Sequence, residues 1–102
     1  MICMSLKSSD IELIKKMIPI VKGIGRSTWY NEILPASIKS IEEFIFEIER
    51  IYNGKHKISI SQKEELINFI KELENNHKDE NENMKRKVRY NVFKMLADFV
   101  GR

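Results

Sequence analysis

The sequence predicts an all-α protein, an antiparallel four-helix bundle filling residues 1–102 as a single domain. Three observations point there. Four separate stretches carry apolar residues at helical spacing. Two of them open on a serine followed three residues later by a glutamate, the sequence form of a capping box. Polar and apolar residues alternate like a strand only at Ile58-Ser59-Ile60, which is too short to pair alone. Isoleucine is common here, and β-branched residues lean slightly toward strands, so spacing decides the class rather than propensity.

The first helix is expected to start at Ser9, with Glu12 reaching back to close the box. Ile11, Leu13, Ile14, Met17 and Ile18 form its stripe. Pro19 lacks a donor and ends or kinks the helix, with Ile20 and Val21 continuing briefly before Gly23 and Gly25. Residues 22–34 read as irregular. Trp29 and Tyr30 fall in that stretch, either plugging the open end of the bundle or contacting a partner.

The second helix is expected from about Pro35 to Tyr52, since proline suits a first turn. Ile38, Ile41, Phe44, Ile45, Ile48, Ile51 and Tyr52 make its apolar face, with Phe46 off it and Glu42, Glu43, Glu47 and Glu49 opposite. Asn53-Gly54 is a good stop. Lys55 to Ile60 connect, with the isoleucines packing downward. The third helix opens on Ser61 and Glu64, buries Leu66, Ile67, Phe69, Ile70 and Leu73, and frays at Asn75-Asn76.

Residues 74–83 hold no apolar side chain and are expected to bury nothing. The last helix should begin near Asp79 or Glu80, where acidic residues meet the positive end of the backbone dipole. Met84, Val88, Val92, Met95, Leu96 and Phe99 supply its stripe, and Gly101 closes it.

A chain of 102 residues buries roughly two thirds of its unfolded surface, enough for one modest core. With 42% hydrophobic and 32% charged residues it is a folded chain rather than a disordered one. The lone cysteine, Cys3, forms no internal bridge and suits a reducing compartment. Met1-Ile2-Cys3-Met4-Ser5-Leu6 is too short for a signal-peptide core, and no run approaches the ~20 apolar residues of a membrane span. The expected location is the cytoplasm.

Catalytic chemistry is not visible. His56 and His77 stand apart, and neither has a cysteine or second histidine at metal-ligand spacing. Gly23-Ile24-Gly25 lacks the third glycine and the lysine-serine pair of a phosphate loop. The glutamates of the second helix read as a solvated face, and Cys3 as an ordinary thiol. No enzyme activity, cofactor or metal is expected.

Charge offers the one surface signal. The net charge of +3 is mild but unevenly spread. Glu72, Glu74, Asp79, Glu80 and Glu82 oppose only Lys78, and then Lys85, Arg86, Lys87, Arg89, Lys94 and Arg102 oppose only Asp98. Lys85, Arg86 and Arg89 can share one helix face, while Lys87 points elsewhere. Such a run reads as a locally paired, solvated helix, as a phosphate or nucleic-acid contact, or as a contact with an anionic membrane surface.

Lys57-Ile58-Ser59-Ile60-Ser61-Gln62-Lys63-Glu64-Glu65-Leu66 resembles the segment linking two core helices in the immunity proteins of pediocin-like bacteriocins. Length, basic pI and the isoleucine-, lysine- and asparagine-rich usage agree with that family. The resemblance implies an antiparallel four-helix bundle in the producer's cytosol. It implies protection against a pore-forming peptide, exerted from the inner side on the bacteriocin bound to its membrane receptor permease. Specificity in the family lies toward the C-terminal half, which makes Lys85, Arg86, Arg89 and Lys94 the candidate partner-binding residues. A basic face would also hold the protein near the negative inner leaflet, at on the order of 1 kcal/mol per cation.

Two other readings compete. A small regulatory protein binding nucleic acid would lose affinity steeply with salt, although eight or so residues between helices two and three suit a helix-turn-helix poorly. A protein-interaction module, monomeric or dimeric, would leave Phe46, Phe93, Trp29 and Tyr30 partly exposed.

Overall fold

A computed structural model describes residues 6–55 and 57–101, and every regular element among them is helical. Cys3, His56 and Arg102 lie outside the described residues. Among the described residues five helical segments form, one more than the sequence suggests.

Helix α1 spans Ser8–Val21 and begins one residue earlier than expected. Its cap is Lys7, whose backbone N–H donates to Asp10 Oδ2 at 2.8 Å. Ser9 and Glu12 both fall inside the helix, so their capping box does not form. Helix α1 runs through Pro19, and Val21 beyond it is fully buried. Burial of the following turn outweighs the one donor that proline removes.

The expected irregular stretch is largely helical. Helix α2 covers residues 26–36, with α turns at Arg26–Thr28 and Leu34–Ala36 around a π turn at Trp29–Ile33. The Leu34 N–H donates to the Trp29 carbonyl five residues back, the wide winding of a π turn. That winding lets α2 bury Thr28, Trp29, Ile33, Leu34 and Ala36 together. The glycines mark only the break between α1 and α2.

Helix α3 is Ile41–Arg50, continued by a π turn at Ile51–Lys55. It starts well after Pro35, because Ser40 Oγ accepts the Glu43 N–H and caps it. Pro35 belongs to the last turn of α2. Ile38, in the link, is exposed rather than part of the α3 face, and Ile11 of α1 is exposed too.

Helix α4 is Ile60–Asn76, and its capping box is Ser59 with Gln62, not Ser61 with Glu64. Ser59 Oγ accepts the Gln62 N–H at 3.1 Å, and Gln62 Oε1 accepts the Ser59 N–H at 2.8 Å. Ile58 packs inward as expected, while Ile60 faces solvent. Helix α5 is Glu82–Leu96, opened by Asn81 Oδ1 accepting the Met84 N–H, and a 3₁₀ turn at Ala97–Phe99 closes it. It starts after the acidic pair Asp79-Glu80, because Asn81 supplies the better cap.

Helix α1 lies on α4 and α5, α3 packs on α4 and on the middle of α2, and the last turn of α2 touches α5. One core joins them. Phe93 sits at its centre, stacked on Trp29 with centroids 5.4 Å apart, edge-on to Phe44 at 5.1 Å and tilted against Phe69 at 5.6 Å. Burying each such ring contributes about 1.5–3 kcal/mol. Trp29 and Phe93 are therefore interior, whereas Phe46 and Tyr30 remain at the surface. Met95 and Phe99 are also exposed, at the edge of the α5 stripe.

Beyond α5, Gly101 pairs with Gly25 in a single bridge. A side chain at Gly101 would run into the Lys22 carbonyl oxygen, so only glycine allows this approach. Among the described residues no helix is long and apolar enough to cross a membrane.

Candidate functional site

Helix α5 divides sharply into two faces. Val88, Arg89, Val92, Phe93 and Leu96 form the buried arc, spaced one, three, one and three residues apart. Side chains about 200° round the helix from that arc must face outward, and those are Lys87, Asn91, Lys94 and Asp98.

The outward face forms one wall of an open groove of about 770 Å³. Arg86, Lys87 and Lys94 supply cations along it. Tyr90 and Met95 supply apolar surface from the same helix, and Ile38 supplies it from the link between α2 and α3. Ile38 and Met95 are 48% and 43% exposed, so apolar surface is open to solvent in this groove. The Lys94 ammonium lies 5.9 Å from the Tyr90 ring centre, and Arg86 Nη1 donates to Asn83 Oδ1 at 3.2 Å. Among the described residues no carboxylate pairs with Arg86, Lys87 or Lys94.

The four expected partner-binding residues thus separate. Arg86 and Lys94 line the groove. Lys85 is mostly covered, and its Nζ donates to Glu74 Oε2 at 3.0 Å. Arg89 is a correction: its side chain is 2% exposed and cannot meet a partner. Arg89 Nε donates to the Ser37 carbonyl at 3.1 Å, and Nη2 to the Lys39 carbonyl and to Glu82 Oε2. Nη1 faces Glu74 Oε1 at 3.7 Å. The forked guanidinium bonds two carbonyls and Glu82 and meets Glu74 by charge alone, so it fastens the end of α2 to α4 and α5. Lys87, expected to point elsewhere, lies on the outward face beside Arg86 and Lys94. The signal was present: Arg89 falls between Val88 and Val92, inside the apolar arc.

A second polar cluster lies inside the polar stretch expected to bury nothing. His77 is 2% exposed and Asp10 fully buried. His77 Nε2 meets Asp10 Oδ2 at 2.7 Å, and Nδ1 meets Glu80 Oε2 at 2.8 Å. Asn76 donates to Asp10 Oδ1 at 2.8 Å, and Lys7 Nζ donates to the Asn76 carbonyl. Burial pushes the Asp10 carboxyl up, but bonds from the Lys7 N–H, Asn76 and His77, with the His77 charge, outweigh it and hold it below its ordinary 3.8. The two carboxylates sit on opposite edges of the ring, so they do not converge on a common point. Among the described residues no group of three or more His, Cys, Asp or Glu could hold a metal. The cluster anchors the start of α1 to the α4–α5 turn.

Comparison with known proteins adds no relative: no protein-family model, no curated protein and no solved structure matches this chain.

Proposed function

We propose that the chain is a non-catalytic, cytoplasmic immunity protein that acts by contact. Its partner is a membrane receptor permease carrying a pore-forming bacteriocin, met from the cytosolic side. In this reading α1, α3, α4 and α5 form the antiparallel four-helix bundle and α2 is an insert between its first two members. The contact face is the outer side of α5, with Arg86, Lys87 and Lys94 as its cations. Lys85 and Arg89 instead hold that helix in place.

The observation that carries the reading is the company these cations keep. They have no carboxylate partner among the described residues and stand beside exposed Ile38 and Met95. At an interface the apolar groups supply the buried centre and the charges supply steering and register. The likeness of residues 57–66 to the immunity-protein linker supports the choice of partner.

The test is a killing assay in a bacteriocin-sensitive strain expressing the protein. A variant carrying Arg86→Glu, Lys87→Glu and Lys94→Glu should fold, as judged by circular dichroism, and should lose protection. Full protection by this folded variant overturns the proposal. Arg89 is left out of the variant because a buried glutamate there would unfold the protein.

A further inference from the structure

Two ring nitrogens and two carboxylates meet at the buried His77, and their contacts fix a count of protons. Nε2 lies 2.7 Å from Asp10 Oδ2, and Nδ1 lies 2.8 Å from Glu80 Oε2. An ionised carboxylate only accepts, so each contact needs a proton between its two atoms. A neutral imidazole brings one proton and an imidazolium two. A carboxylate is the weaker base, so the second proton sits on the ring. We infer that His77 is a proton-operated latch: with both ring nitrogens protonated it ties Glu80, in the turn between α4 and α5, to Asp10 of α1, and when one proton leaves it releases Glu80. The latch stands independently of the contact role proposed for the outer face of α5.

The surroundings decide which of the two bonds opens. Asp10 is fully buried and accepts two further bonds, from the Lys7 N–H and from the Asn76 amide, each at 2.8 Å. It cannot reach water, so the remaining ring proton stays with it. The Glu80 side chain is 27% exposed and can turn outward to water. Among the described residues His77 is the one cation it pairs with. A neutral ring would aim the Nδ1 lone pair at the Glu80 carboxylate, and two acceptors in contact repel.

The other charges around the ring are engaged elsewhere. From α5, Lys85 and Arg89 line the small cleft beside His77. Both face Glu74 of α4, at 3.0 and 3.7 Å, and Arg89 also meets Glu82 at 3.1 Å. From α1, Lys7 Nζ donates to the Asn76 carbonyl. Lys78 and Asp79, in the turn itself, are exposed. Once Glu80 lets go, the turn rests on main-chain bonds, from the Lys78 N–H to the Asn75 carbonyl at 3.4 Å and from the Glu80 N–H to the His77 carbonyl at 3.1 Å. The released segment directly precedes Asn81, the cap of α5. The turn is thus closed at lower pH and loosens as pH rises through the titration of the ring, while the start of α1 stays held by Asp10.

The test is nuclear magnetic resonance of the full chain from about pH 5 to about pH 10, a span that brackets ordinary histidine titration. Ring ¹⁵N shifts count the protons on His77, and backbone ¹³C shifts of residues 78–81 follow the turn. Both ring nitrogens should be protonated at the acidic end. Nδ1 should lose its proton as pH rises, and residues 78–81 should move with it in one transition. Glu80→Gln should keep the turn closed while the ring still titrates, because an amide can accept from a protonated Nδ1 or donate to a bare one. Glu80→Ala should open the turn at every pH, with the amides at 78 and 80 exchanging about tenfold faster at about pH 6. A ring that carries one proton, or two, over the whole span overturns the latch. So do turn shifts that ignore the ring, a Glu80→Gln turn that opens as the wild type does, and unchanged exchange in Glu80→Ala.

Discussion

Trp29 donates its indole N–H to the Phe93 carbonyl at 3.1 Å while its ring stacks on the Phe93 ring. One residue thus satisfies its polar atom and fills the core in a single contact between α2 and α5. Trp29→Phe keeps most of the packing and loses the bond, and should cost about 1–2 kcal/mol. Trp29→Ala should cost about 3–5 kcal/mol. Urea unfolding followed by far-ultraviolet circular dichroism checks both. Similar losses for the two would show that the stacking contributes little.

Acid should act through Asp10. Its folded carboxyl titrates below the ordinary 3.8, so the folded state holds the charged form more tightly than the unfolded chain does. That stability is complete above about pH 4 and is lost as pH falls through the folded value. Melting temperature should therefore drop on acidification, and more steeply in the wild type than in Asp10→Asn. Parallel pH profiles for the two proteins would remove Asp10 from this role.

Arg89 and Arg86 are three residues apart and should behave oppositely. Arg89→Ala leaves two carbonyls and two carboxylates without their shared partner and should cost about 3–5 kcal/mol. Arg89→Lys keeps the charge but not the fork, and should cost about 2 kcal/mol. Arg86→Ala, at the surface, should stay within about 0.5 kcal/mol. Thermal melts compare the three directly.

Two glycines give a similar contrast. A methyl group at Gly101 overlaps the Lys22 carbonyl, whereas one at Gly25 meets nothing within 4 Å. Gly101→Ala should lose about 1–3 kcal/mol, and Gly25→Ala should lose under about 1 kcal/mol. Equal effects would show that the bridge between them is not held by this close approach.

Much of this fold is legible in the sequence. Leu13, Ile14 and Met17, Leu66, Phe69, Ile70 and Leu73, and Val88, Val92 and Leu96 are all interior as their spacing requires. The cap of α4 was ambiguous because two boxes overlap: Ser59 with Gln62 and Ser61 with Glu64 differ only by which isoleucine enters the core. Helix α2 was hidden because Trp29 and Leu34 share a face at a spacing of five, which a 3.6-residue period does not register. His77 and Arg89 were assigned to the surface on polarity alone. Polar side chains enter an interior when most of their strong donors find partners, and the partners here, Asp10 and the carbonyls of Ser37 and Lys39, lie some 50 to 70 positions away in the chain. The facing of the basic segment is set by the core, which takes Arg89 and leaves Lys87 outside.

The wide turn at Trp29–Ile33 carries a consequence for how this chain tolerates change in length. Losing one exposed amino acid there, such as Asn31, would restore ordinary winding and set Trp29 and Leu34 four apart, still on one face. The turns on either side would keep their facing, and the indole and Leu34 would stay in the core. Such a deletion should be better borne than one between residues 37 and 40, where the Ser37 and Lys39 carbonyls hold Arg89 and Ser40 caps α3, and a deletion scan of cell abundance would draw that boundary.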